Sequence, residues 1–140
     1  MTGLWKTWIT IWCWGVILFG ALLAGAAFPA TDAGVRLLYG LLASGPLPDD
    51  FLAAPGIRFS IALMGAVSIG WGCTMLFLLP AIHAAGAPAW RGLTAALAVW
   101  FVIDGLLSAA TGFPLNNLSN LALAIGYAIP LLASGALKSA

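Results

Sequence analysis

Charge is what this chain has least of. Among 140 residues only five are Lys or Arg and four are Asp or Glu, so 6% are charged. A soluble domain carries roughly 25%, and so few charges cannot cover a water-facing surface. Net charge is +1, which leaves no basic footprint for nucleic acid. Histidine occurs once, at His83, which excludes bis-histidine haem ligation within one chain. The two cysteines, Cys13 and Cys73, lie in separate apolar segments. With no CxxC and no Cys/His cluster, neither a zinc nor an iron–sulfur site is indicated. Each thiol reads as a buried, inert core group. A nucleophile–base pair, a phosphate-binding glycine loop and a relay of acids are also missing, and no internal repeat is strong enough to use.

Apolar residues fill the space that charge leaves, at 63% of the chain. A helix needs about 20 of them in a row to cross the hydrocarbon core. Four stretches qualify: residues 5–28, 59–79, 90–111 and 119–137. The predicted fold class is therefore all-α, a four-helix transmembrane bundle forming a single integral membrane domain over 1–140. The first stretch is not read as a cleaved signal peptide. Its uncharged run, 7–31, is 25 residues long, against about 7–15 for a signal h-region. Trp5, Trp8, Trp12 and Trp14 crowd its start, as interfacial anchors do.

The first connection, 29–57, is long. Its middle, 35–43, is apolar except for Arg36 and too short to span. It is expected as an interfacial helix with Leu37, Leu38, Leu41 and Leu42 facing lipid. A turn-rich segment, Gly45-Pro46-Leu47-Pro48-Asp49-Asp50, follows. The connection also holds three of the four acids, Asp32, Asp49 and Asp50. With four spans both termini share a side, together with Lys6, Arg91 and Lys138, against Arg36 and Arg58 opposite. Lys and Arg set orientation, so the termini are expected in the cytoplasm of a bacterial inner membrane. Helix contacts in lipid rely on small residues. Candidate faces are Ala62, Ala66, Gly70 and Thr74 on the second span, and Ala21 with Gly25, or Gly20 with Ala24, on the first.

Asp104 is the one acid inside a predicted span. A charge at the bilayer centre costs roughly 2.5–3.5 kcal/mol on insertion scales, so such a residue is paired, protonated or turned to a cavity. Ser108 and Thr111 follow at i+4 and i+7 on its face. Across the next turn come Asn116, Asn117 and Asn120, and Arg58 opens the second span at the same side. These seven residues form an expected polar intramembrane cluster, with Arg58 reaching Asp104 directly or through Asn117, Asn120 or a water. The cluster is either glue between helices or a binding site. A second constellation is aromatic. Trp100 lies about 13 Å from Arg91 and Trp71 about 19 Å from Arg58 along their helices. With Trp12 and Tyr127 they form a candidate apolar pocket for a quinone, carotenoid or lipid. His83, at a helix end, reads as interfacial rather than as a metal or chlorin ligand. No metal and no catalytic residue is assigned.

The segment Ile57-Arg58-Phe59, followed by Met64-Gly65-Ala66-Val67-Ser68-Ile69-Gly70-Trp71-Gly72, resembles small bacterial four-helix membrane proteins of the DoxX-like kind. The resemblance covers the four spans in outline and implies a role in quinone-linked electron transfer or in assembling membrane complexes. It carries no catalytic residue onto this chain, and the long first connection departs from it. The functional expectations are, in order, a non-catalytic subunit packing against a larger membrane complex, a small-molecule binder or transporter built on Asp104, and a quinone-linked redox component. The partners are the bilayer and either a protein partner or a second copy of the chain.

Overall fold

The computed structural model describes residues 1–138; Ser139 and Ala140, which the single-domain reading includes, lie outside it. Every described element is helical. Helix α1 runs Gly3–Ala24, α2 Ala33–Leu42, α3 Pro55–Ala85, α4 Ala87–Ala110 and α5 Asn116–Ala133, with short 3₁₀ turns at Gly25–Ala27 and Pro29–Thr31. Helices α1, α3 and α4 are long and apolar enough to cross a membrane. They make this a membrane protein by length and composition. Helix α5 is also 18 residues long, but Asn116, Asn117, Ser119 and Asn120 crowd its first turns, which keeps it out of that apolar set.

The helix ends follow local chemistry. Pro55 starts α3 where a missing N–H costs nothing. Pro88 stands in the first turn of α4. Between α3 and α4 stands one residue, Gly86, at φ +70°, a conformation an L side chain resists. So α3 continues through Pro80 and His83 to Ala85, beyond the expected end at 79. Its 31 residues make a rod of about 46 Å, longer than a hydrocarbon core of about 30 Å.

The tightest contact is α1 on α3. A Cβ placed on Gly20 would stand 2.7 Å from the Gly65 carbonyl oxygen, and one on Gly65 would stand 2.6 Å from that of Gly20. The two backbones touch because neither residue has a side chain there. The buried residues of α3 are Ile61, Gly65, Gly72, Met75, Leu79 and Ile82, a seam stepping by three, four and, from Gly65 to Gly72, their sum of seven. This corrects the expected α3 face: Ala66, Gly70 and Thr74 are exposed and Ala62 is half-buried. Steps of four alone drift around a 3.6-residue helix, whereas alternating threes and fours stay on the partner. On α1 the Gly20–Ala24 pair makes the contact, and Ala21 faces out. Ser60, Ser68 and Thr74 donate their hydroxyls to the carbonyls four residues earlier, which satisfies them without a partner helix.

Helix α5 is fastened to α1 by indoles. Pro130 has no N–H to give the Gly126 carbonyl four residues back. Trp8 Nε1 donates to that carbonyl at 2.8 Å, and Trp12 Nε1 donates to the Leu123 carbonyl at 3.0 Å. Two of the expected interfacial tryptophans thus serve helix packing. Helix α4 rests chiefly on α5 and little on α3.

The first connection is not a loose surface loop. Leu52 and Val35 are fully buried, in a second core with Leu23, Ala26 and Ile61. Leu37 and Leu41 of α2 face outward as expected, but Leu38 and Leu42 turn inward. Tyr39 stacks on Phe51 with ring centroids 5.8 Å apart and meets Phe113 edge-on at 5.5 Å. Ser44 donates its N–H and its hydroxyl to the Gly112 carbonyl at 3.0 and 3.1 Å. Helix α2 thereby ties the α1/α3 pair to the α4–α5 turn.

Candidate functional site

Between the α1/α3 pair and the α4/α5 pair lies a cavity of about 630 Å³, within the usual range of about 300–1,000 Å³ for small-molecule sites. All five helices contribute to its wall. Leu38, Tyr39 and Leu42 of α2 close one end together with Phe113. Most of the wall is apolar. Its polar part is concentrated at Asp104 and the residues around it.

Asp104 projects from α4 toward the first turns of α5. Asn116 Nδ2 donates to Asp104 Oδ2 at 3.0 Å, and Asn120 Nδ2 donates to the same oxygen. Ser108 Oγ, one turn on, donates to it at 3.4 Å, and Asn116 Nδ2 also reaches Ser108 Oγ at 2.9 Å. Ser108 and Asn120 are buried, while Asp104 is half-exposed and lines the cavity. The i, i+4 steps 104–108 and 116–120 set two short polar ladders face to face. Thr111 also lines the cavity, but its hydroxyl donates back to the Leu107 carbonyl at 2.8 Å. Asn117 points elsewhere, against Gly105, where a Cβ would stand 3.1 Å from its Oδ1.

Arg58 does not join this cluster, and the expected Arg58–Asp104 contact is not made. Its Nη2 lies 2.8 Å from Asp32 Oδ2 and its Nη1 donates to the Ala26 carbonyl at 3.0 Å. Arg36 holds the same carboxylate, Nε to Oδ1 at 2.9 Å, and donates Nη1 to the Asp49 carbonyl at 2.9 Å. Asp32 is buried at 4% exposure. Its carboxyl is held below its ordinary value of 3.8, chiefly by the hydrogen bonds from Arg36, with Arg58 adding to them against desolvation. The reason for the misplacement is physical: Asp32 is brought beside Arg58 by the buried connection, so the arginine is satisfied before it can reach inward.

The four aromatic residues of the expected pocket do converge. Tyr127 packs on Trp12 at 5.4 Å, Trp12 on Trp71 at 5.6 Å, and Trp71 on Trp100 at 6.4 Å. Trp12 and Tyr127 are buried, at 8% and 2% exposure, and do not line the cavity. Trp71 and Trp100 form the cavity wall. The Tyr127 hydroxyl meets Thr94 Oγ1 at 3.3 Å. His83 stays outside the cavity, edge-on to Trp90 at 5.3 Å, with Nδ1 2.6 Å from the Leu79 carbonyl. Among the described residues no group of three His, Cys, Asp or Glu could hold a metal.

Sequence reasoning missed Ser68, Tyr39 and Phe113 as cavity residues. Tyr39 carried the one available signal, a lone amphipathic ring in the apolar run 35–43. No family model, curated protein or solved structure matches the chain.

Proposed function

We propose that this protein crosses the membrane four times and binds a small amphipathic molecule inside its bundle. The observation that carries the reading is the cavity with Asp104, Asn116 and Asn120 at its polar end and Trp71 and Trp100 in its apolar wall. A pocket largely apolar, with a few converging polar groups, is the ordinary form of a small-molecule site. The flat body of the ligand lies against the indoles and its polar head reaches Asp104. Quinone, carotenoid and lipid are the alternatives for the body.

Helix α5 supplies the fourth span, its 18 residues covering about 27 Å, close to the core thickness. Its asparagines are tolerable there because they face Asp104 rather than lipid. The termini lie in the cytoplasm, by the count of Lys6, Arg91 and Lys138 against Arg36 and Arg58. Helix α2 lies at the opposite interface. A reporter that works only outside the cytoplasm, fused after Ala140, stays silent on this orientation; activity there reverses it.

A second reading, an accessory subunit of a larger complex as the DoxX-like resemblance implies, is favoured by one feature. Val99, Val102, Ile103 and Leu106 form a stripe on α4 in which every residue is more than half exposed. Such a stripe suits a partner helix as well as lipid.

Gentle purification followed by native mass spectrometry separates the two. Ser68→Trp places an indole in the cavity and leaves the Asp104 cluster alone, because Ser68 bonds only its own helix. The ligand reading expects a bound small molecule in the wild type that is absent from Ser68→Trp. A protein partner retained by both forms, with no small molecule in either, favours the subunit.

A further inference from the structure

We infer that the molecule taken by this cavity is an organic cation, an ammonium or similar centre on an apolar, aromatic or bulky body. The inference rests on the ligand reading above and adds the charge of the ligand.

Three observations point the same way. The first is the set of neighbours of Asp104. Asn116 and Asn120 each offer it an amide N–H and Ser108 offers a hydroxyl, all to Oδ2. Each of these contacts treats the carboxylate as an acceptor, and Oδ1 receives no hydrogen bond from the described residues. One acceptor oxygen is thus held in place by α5, while the other is left to a ligand.

The second is the absence of a counter-charge. None of the five Lys and Arg residues lines the cavity. Arg36 and Arg58 are committed to Asp32 at the capped end. Arg91 donates to the Leu137 carbonyl at the other end of the molecule. Lys6 and Lys138 stand near the chain termini and are exposed. A carboxylate within a span is paired, protonated or turned to a cavity; Asp104 is turned to the cavity, and the chain spends its arginines elsewhere. A cationic ligand supplies that charge.

The third is the neighbouring wall. Trp100 lies one helical turn before Asp104 on α4, and Trp71 faces it across a 6.4 Å ring separation. The faces of indole rings carry negative quadrupole density and attract cations, most strongly when water is excluded. An anion would meet the Asp104 carboxylate. A neutral carbonyl, such as that of a quinone, would set acceptor against acceptor at Asp104.

Equilibrium dialysis in a neutral maltoside detergent tests this with tetraphenylphosphonium and tetraphenylborate, ions of like shape and opposite charge. The wild type should bind the phosphonium saturably and the borate not at all. Ser68→Trp should abolish phosphonium binding. Asp104→Asn should weaken it tenfold or more, and Asp104→Glu should retain it. Melting curves of each variant, read in the same buffer, establish that it is folded. If Asp104→Asn does not fold, the choice between the two ions by the wild type decides. Borate binding blocked by Ser68→Trp, or phosphonium binding untouched by Asp104→Asn, overturns the cation and leaves the cavity reading in place. Insensitivity of both ions to Ser68→Trp overturns the cavity reading together with it.

Discussion

Gly65→Ala should loosen the α1/α3 contact, and the size of the effect can be worked from the backbone. The added methyl would press on the Ala24 backbone nitrogen and stand 2.6 Å from the Gly20 carbonyl oxygen, whereas ordinary contact begins at 3.4 Å. The helices must therefore part by at least about 0.8 Å. Overpacking of this kind costs about 1–3 kcal/mol. Replacing glycine within a helix returns roughly 0.5–1 kcal/mol through lost chain freedom. Gly70→Ala isolates that second effect, because a Cβ there meets nothing within 4 Å. Unfolding both variants by sodium dodecyl sulfate titration in mixed micelles removes the shared propensity gain. Gly65→Ala should be less stable than Gly70→Ala by about 1–3 kcal/mol. Equal stability would refute the backbone contact between α1 and α3.

Trp8→Phe removes the donor that serves the Gly126 carbonyl and should cost about 0.5–1.5 kcal/mol. In a Pro130→Ala background residue 130 regains its N–H, and the same substitution should cost less than half as much; an unchanged cost in the two backgrounds contradicts the role given to Pro130. Arg58→Gln and Asp104→Asn should be additive within about 0.5 kcal/mol, because Arg58 spends its guanidinium on Asp32 and Ala26. A coupling above about 1 kcal/mol would restore the pair that the sequence suggested. The Asp32 carboxyl is held below its ordinary 3.8, so its contribution is present above that value and is lost as pH falls through the lowered one. The stability gap between wild type and Asp32→Asn should stay constant from neutral pH down to about 4 and close below it; a gap already shrinking between about pH 7 and 5 contradicts the double arginine contact.

The long apolar runs made readable the three helices long and apolar enough to cross a membrane, because bilayer thickness fixes the length of a spanning helix and composition supplies the rest. Periodicity served as well for Asp104, Ser108 and Asn120, whose positions follow from i, i+4 steps on two helices joined by a short turn. It also served for Trp71 and Trp100, placed at mid-helix by counting rise. Periodicity could not decide between Asn116 and Asn117, which differ by a rotation of about 100° and were sorted by the approach angle of α4 and α5. It also failed for Arg58. The choice between Asp32 and Asp104 depends on how 29–54 folds, and the burial of Val35 and Leu52 in that segment is a tertiary event. The α3 contact face was misjudged for a related reason. Small residues at steps of four look like a membrane interface, but the side that touches α1 is selected by the whole seam from Ile61 to Ile82.

Photolabelling is the most direct test of the claim that a small molecule occupies the bundle. Membranes containing the protein are incubated with a diazirine-bearing amphiphile, irradiated and digested, and the labelled residues are mapped by mass spectrometry. Helix α4 offers both faces in one peptide: Trp100 and Asp104 line the cavity, while Val99, Val102, Ile103 and Leu106 face outward. Occupancy of the cavity predicts label on Trp100 and Trp71 that disappears in Ser68→Trp. Label confined to the outward residues, unchanged by Ser68→Trp, would contradict it.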